Sequence, residues 1–331
     1  MQPFEYRRAG DAQAAVSAIA GAPAGKFLAG GTNLVDLMKQ GVEKPRLLID
    51  IGRVELGKIE ELPDGGLRLG ALARNSDTAD HPVVRRRYPM LAQAILAGAS
   101  PQLRNMATNG GNLMQRTRCY YFYDPAYAQC NKRNPGSGCA AIEGFNRIHA
   151  ILGASPECIA THPSDMCVAL AALAARVRVQ SARGERAIPF SDFHRLPGSS
   201  PNVDTTLRPD ELILSVDLPK GPYADHSAYV KIRDRASYAF ALVSAAAALD
   251  LDGTTIRSAR LALGGVAHKP WRSETAEALL AGKPANEASF LAAAAEALHE
   301  AKPYKYNAFK VELAKRTIVR AFTLAVQGET A

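Results

Sequence analysis

No run in the 331-residue chain is apolar for long enough to cross a bilayer, although the hydrophobic share is 47%. A soluble protein with a sizeable core and two or three domains is expected. Met1-Gln2-Pro3-Phe4-Glu5-Tyr6-Arg7-Arg8 is not followed by the apolar segment of a secretory signal, so self-directed export is not expected. The net charge is +8 and the pI about 9.3, yet no basic stripe is interleaved with aromatics. The densest basic run is Arg85-Arg86-Arg87. Nucleic acid is therefore not an expected partner, and a basic docking face for an acidic subunit or for phosphates is favoured. No catalytic triad or acid/base pair stands out. His149, His162, His194 and His268 are scattered along the chain and read as structural, with His162 the one expected near a cofactor.

Cysteine is sparse too, but four of the five fall in one stretch: Cys119, Cys130, Cys139 and Cys158, with gaps of 10, 8 and 18 residues. The stretch is short of long apolar runs and rich in turn formers such as Asn134-Pro135-Gly136-Ser137-Gly138. Few side chains are on hand to bury a core, so four thiolates on one inorganic centre are one way to hold it. The spacing is neither that of C-x-x-C zinc pairs nor that of the compact ferredoxin run. Free buried thiols and disulfides stay open as readings. Cys167, in the apolar pattern Met166–Leu173, reads as a core thiol.

A helix is expected over 11–20, then a buried strand Lys26-Phe27-Leu28-Ala29, the turn Gly30-Gly31-Thr32-Asn33, and a helix from Leu34. That layout places backbone N–H groups on a phosphate, with glycine supplying positive φ and close approach. Ligand-free capping of the helix by Thr32 or Asn33 is the alternative. Strands are expected at 47–51 and 66–71, and helical patterns around 77–80 and 90–99. Thr108-Asn109-Gly110-Gly111-Asn112-Leu113 is a second such turn, about 80 residues on. Two turns suit a ligand with two phosphates, and neither is a G-x-G-x-x-G. A helix over 165–175, a strand at 177–180, a loop-rich stretch over 183–209 and a strand at 211–219 follow. Beyond a boundary at 220–222 come strands at 227–232, 240–250 and 256–263, then helices at 273–281, 287–300 and 307–326. This last third reads as an α+β layer.

Leu28–Leu34, Thr108–Leu113, Pro163-Ser164-Asp165-Met166 and Tyr229-Val230-Lys231-Ile232-Arg233, in this order, resemble the FAD-binding subunit of the xanthine dehydrogenase and carbon monoxide dehydrogenase family. The insert motifs Arg116–Cys119, Cys130–Cys139 and Cys158–Pro163, with Ala267–Arg272, are similar to the flavin subunits of bacterial periplasmic aldehyde oxidoreductases. The resemblance implies an α+β fold: a vanillyl-alcohol-oxidase-type FAD-binding domain over 1–57 and 58–221, with the cysteine insert at 115–160, and a small α+β domain over 222–331. It implies FAD contacts from Lys26, Phe27, Leu28, Ala29, Gly30, Gly31, Thr32, Asn33 and Leu34, from Thr108, Gly110, Gly111, Asn112 and Leu113, and from Asp165, Ile213 and Lys231. Asn109 replaces a residue that is often apolar in the wider family. Cys119, Cys130, Cys139 and Cys158 become ligands of a 4Fe–4S cluster, and Cys167 stays outside the set.

The implied partners are a large subunit with the molybdenum cofactor and a small subunit with 2Fe–2S clusters. FAD takes their electrons and passes them to an external acceptor. Lys132 and Arg133, between two ligands, either raise the cluster potential or are solvated or partner-binding. The resemblance also implies a periplasmic complex, co-exported with a signal-bearing partner, the alternative being cytoplasmic. A non-catalytic assembly subunit with a structural zinc or iron centre is the competing function. A flavin enzyme acting alone is disfavoured, because no substrate base is seen.

Overall fold

The structure, a computed structural model, describes residues 1–328. Among these, twelve strands form three sheets. The first sheet has the order β1 (Glu5–Arg8), β3 (Leu47–Asp50), β2 (Gly25–Leu28), all parallel. Parallel neighbours need crossovers, and the helix Ala12–Ala20 supplies the first. Asp11 caps it by accepting from the Ala14 amide at 2.7 Å, and its Ala15, Val16 and Ile19 pack on Leu47 and Ile49.

The second sheet is antiparallel, ordered β4 (Ile59–Glu61), β5 (Leu67–Gly70), β8 (Leu212–Leu218), β6 (Arg176–Ser181), β7 (Gly184–Pro189). Strand β8 serves two cores. Leu212 belongs to the first-sheet core, whereas Ile213, Val216 and Leu218 belong to the second. A register shift opposite Arg178 and Val179 lets one strand do this, because one extra residue reverses the faces.

The third sheet is ordered β12 (Trp271–Arg272), β11 (Thr255–Gly264), β10 (Val243–Asp252), β9 (Ser227–Ile232). Strand β10 is buried on both faces. Ala246 and Ala248 join the core under the helix Asp165–Ala172, while Ala245, Ala247 and Leu249 face the C-terminal helices. That double burial is why it reads as an unbroken apolar run. Every residue of the helix Asp165–Ala172 is buried. It lies so close to the sheet that a Cβ at Gly264 would stand 2.6 Å from Val168 Cγ2. The helices Glu274–Leu280, Glu287–Ala297 and Phe309–Gln327 cover the other face, with Phe290 stacked on Phe322 at 5.1 Å.

Four strands were not expected from the sequence. β1 is exposed throughout, and β4 and β12 are only three and two residues long, so none shows buried alternation. β7 lies inside the stretch read as loop, and along it only Ile188 is buried. The 240–250 strand starts at Val243, leaving Phe240 half exposed. Phe322→Ala should cost about 3–5 kcal/mol, read as a lower midpoint of chemical denaturation. An unchanged midpoint would mean that the Phe290–Phe322 contact is not part of the core.

Candidate functional site

A cleft of about 500 Å³ opens where the two glycine turns meet. Residues 26–34, Thr108, Gly110, Gly111, Leu113 and Ile213 all line it. The turns touch at Gly30, where a Cβ would stand 1.9 Å from the Met106 carbonyl oxygen. Gly31 has φ +71°, the left-handed region that glycine enters without strain. The second turn is pinned by backbone bonds from Asn109 N to Ala73 O at 3.0 Å and from Gly110 N to Ala71 O at 2.8 Å. Thr108 Oγ1 accepts from Gly111 N at 3.2 Å.

Three residues expected at the cofactor stand outside this wall. The Asn112 amide donates to Asn75 Oδ1 at 2.6 Å and its oxygen accepts from Ser164 Oγ at 2.5 Å. Asp165 pairs with Lys231 at 2.7 Å and accepts from the Tyr229 hydroxyl at 2.6 Å. Lys231 also donates to the Ala97 carbonyl at 3.0 Å. Asn33 does not cap its helix. Its oxygen instead accepts from Arg116 N at 3.0 Å and its amide reaches the Tyr123 hydroxyl at 3.3 Å, tying the first turn to the insert. Asn109 is fully buried and bonds to Asn75, Thr78 and the Gly70 carbonyl, so it braces the second turn from behind. Sequence reasoning did not single out Asn75 and Thr78, because short polar residues in helical segments look like surface, and it gave Ser164 no role beyond its place in a motif.

Cys119, Cys130, Cys139 and Cys158 line one small cavity. The insert has more of a core than its composition suggests: Phe122, Ala141, Ile159 and Ala160 pack around the sulfurs with Leu37. All the cysteines are free, which removes the disulfide reading. Cys130 and Cys139 face each other across an antiparallel bridge, closed by Asn131 N donating to Gly138 O at 2.8 Å. The Ala160 amide points at Cys158 Sγ at 3.5 Å, and His149 Nε2 lies 3.1 Å from Cys119 Sγ. Burial pushes the Cys119 thiol up to about 12 and that of Cys158 up to about 11. Thiolates here need a cation beside them. Cys167 lies elsewhere, fully buried in the main core.

Lys132 is not a surface group, and Arg133 is partly buried. Arg133 turns inward and donates to the carbonyls of Tyr121 and Phe122 at 2.8 and 2.9 Å. Lys132 is 3% exposed, donates to the Pro201 carbonyl at 2.8 Å and pairs with Asp204. Asp204 also takes Arg116 Nε at 2.8 Å, and Arg116 reaches Glu43 at 2.5 Å. Burial opposes ionisation of Asp204, but Lys132 and Arg116 outweigh it and hold the carboxyl well below the usual range. No motif pointed to Asp204, which lies in the loop-rich stretch.

Three of the four histidines, His162, His194 and His268, meet in space. The rings of His162 and His194 are 4.2 Å apart, and His268 Nε2 lies 3.6 Å from Asp204. His194, rather than His162, is on the cleft wall, and its Nε2 donates to the Leu113 carbonyl at 2.9 Å. His162, Cys167 and His194 have donor atoms within 4.8 Å of one another, but Ser164 N already lies 3.4 Å from His162 Nδ1. Burial lowers His194 and His268 from 6.5 to about 4.

Two outcomes follow. Gly30→Ala should displace the second turn and empty the cleft of most of its ligand, whereas Gly10→Ala, where nothing lies within 4 Å of a new Cβ, should not; bound flavin per chain decides between them. For pH, both imidazoles have folded values below their unfolded value, so the unfolded chain binds more protons on acidification. Stability then falls as pH drops from about 6.5 towards about 4, by roughly 1 kcal/mol per histidine at pH 5.5. Urea midpoints at pH 7.5 and 5.5 should differ, and His194→Gln with His268→Gln should narrow the gap.

The family described as the FAD binding domain in molybdopterin dehydrogenase matches residues 2–221, and the CO dehydrogenase flavoprotein C-terminal domain matches 227–325. The chain is 53% identical to the aldehyde oxidoreductase FAD-binding subunit PaoB of Escherichia coli K12, over 96% of each chain. It is 29% identical to the glyceraldehyde dehydrogenase medium chain of Sulfolobus acidocaldarius, over 86% of this chain and 83% of that one. Among solved structures it is similar to a carbon monoxide dehydrogenase from Hydrogenophaga pseudoflava, with TM-score 0.77 and 26% identity over 98% of each chain. The protein belongs to the FAD-binding subunits of the molybdopterin dehydrogenases.

Proposed function

We propose that this chain is the electron-transfer flavoprotein subunit of a molybdenum-containing aldehyde oxidoreductase, with a 4Fe–4S cluster on Cys119, Cys130, Cys139 and Cys158. The observation that carries this reading is the joint wall of the two sites. Asn33, in the first glycine turn, is bonded to Arg116 and Tyr123 on either side of Cys119. The 53% identity to an aldehyde oxidoreductase subunit supports the substrate class.

The residues fit both groups. The touching turns leave a cleft that a Cβ at Gly30 would disrupt, as close approach of backbone to a dinucleotide requires. Residues 26–34, Thr108, Gly110, Gly111, Leu113 and Ile213 would hold FAD. Asn112, Asp165 and Lys231 remain assigned to FAD by the resemblance and not by the cleft. FAD, when bound, supplies the acceptor for electrons arriving from partner chains and the donor to an external acceptor. The chain's own part is to orient the cofactor with the glycine turns and to exclude water with Leu113 and Ile213. Four thiols in one cavity, three of them buried, suit an inorganic cluster.

The implied partners are the molybdenum-cofactor subunit and the 2Fe–2S subunit. Periplasmic residence, by co-export with a signal-bearing partner, belongs to the same reading and rests on the resemblance alone. The test is iron, sulfide and flavin content with low-temperature EPR after reduction. About four irons and one FAD per chain are expected. Cys130→Ser should lose the iron and keep most of the FAD; full iron and sulfide in that variant would sink the ligand assignment. A colourless protein with one zinc per chain would favour an assembly subunit instead.

A further inference from the structure

One ionic chain joins the cysteine cavity to the cofactor cleft. Lys132 is the one cation among the described residues lining the cavity. The ammonium is fixed by the Pro201 carbonyl and by Asp204. The other oxygen of Asp204 holds Arg116 at 2.8 Å, and both Asp204 and Arg116 line the cleft. Lys132 is therefore neither a solvated loop lysine nor a partner contact, and its position is set from the cleft side.

We propose that Lys132 and Asp204 are positioning residues of opposite sign that together set the reduction potential of the inorganic centre in the cysteine cavity. This rests on the cluster reading above. One-electron reduction makes a thiolate-bound cluster one unit more negative. A nearby ammonium stabilises that form and a nearby carboxylate opposes it. The Lys132 side chain is 1% exposed and that of Asp204 24%, so salt screens the ammonium little and the carboxylate somewhat more. Asp204 lowers the net effect of Lys132 and fixes where its charge sits, while Arg116 and Glu43 balance the far end of the chain.

The test is an EPR-monitored redox titration of the holoprotein, with iron, sulfide and flavin counted per chain. Lys132→Met should lower the cluster potential and Asp204→Asn should raise it. Each should change the reduced-to-oxidised ratio at fixed potential about tenfold, a shift of about 59 mV for one electron. Lys132→Arg should return the potential close to that of the unaltered protein. Opposite shifts are the signature that a merely structural role would not give. Shifts of the same sign, or none, in variants with full iron overturn the proposal. So does loss of iron from both Lys132 variants with an unshifted Asp204→Asn, since Lys132 would then only pin the loop. Unaltered protein that carries FAD and no iron sinks the cluster reading itself, before any variant is made.

Discussion

The contact between Gly30 and the carbonyl of Met106 is the constraint on which the site depends. A methyl group at that point would overlap the oxygen, so the two turns meet only as bare backbone. Everything behind them serves to keep that approach. The first turn is fed by β2 and leads into the helix Leu34–Lys39. The second is held from below by Ala71 and Ala73 carbonyls and from behind by Asn109. An unsatisfied buried amide costs about 1–3 kcal/mol, so a fully bonded Asn109 makes sense only as a device that fixes geometry. An apolar residue there would pack, but would leave the Gly70 carbonyl and the Thr78 hydroxyl short of these partners.

The cysteine insert obeys a different balance. It has a small apolar core, so packing alone gives it some order. Packing also raises the thiols until none of the affected ones ionises near neutrality. Thiols kept protonated gain little from being gathered in one cavity. Four thiolates around a cationic centre gain a great deal, because ligand bonds add directly to folding energy. Gathering is thus the feature that needs explaining, and the inorganic centre proposed above would explain it.

Much of this was legible in the sequence where a pattern repeats a physical requirement. Gly-Gly flanked by Thr and Asn announced backbone approach, and both turns line the cleft. The four cysteines allowed a common site among other readings, the resemblance favoured it, and they share a cavity. The strand at 211–219 and the helices after 273 showed their periods plainly. β1, β4, β7 and β12 did not, since edge or very short strands with exposed faces carry no apolar alternation. The histidines and Asp204 were hidden for another reason. Their roles come from neighbours 32 to 88 positions away, such as Lys132 and Arg116 for Asp204, and no local spacing records such a meeting.

The junction with the third sheet shows how the parts are kept in register. The helix Asp165–Ala172 is buried on all sides, between the helix Pro89–Ala97 and the alanine face of β10. Small side chains bring these surfaces close but give no directional preference, so they would tolerate sliding. Asp165 removes that freedom. It stands in the first turn of the helix and takes both Lys231 and Tyr229 from β9. Ser164, one residue earlier, caps the same helix and bonds Asn112 of the second glycine turn. Removing one partner of a buried charge pair costs about 3–5 kcal/mol, far more than sliding alanines past one another. The sheet, the buried helix and the second turn therefore move together or not at all, and the cleft inherits its shape from the C-terminal sheet as much as from its own glycines.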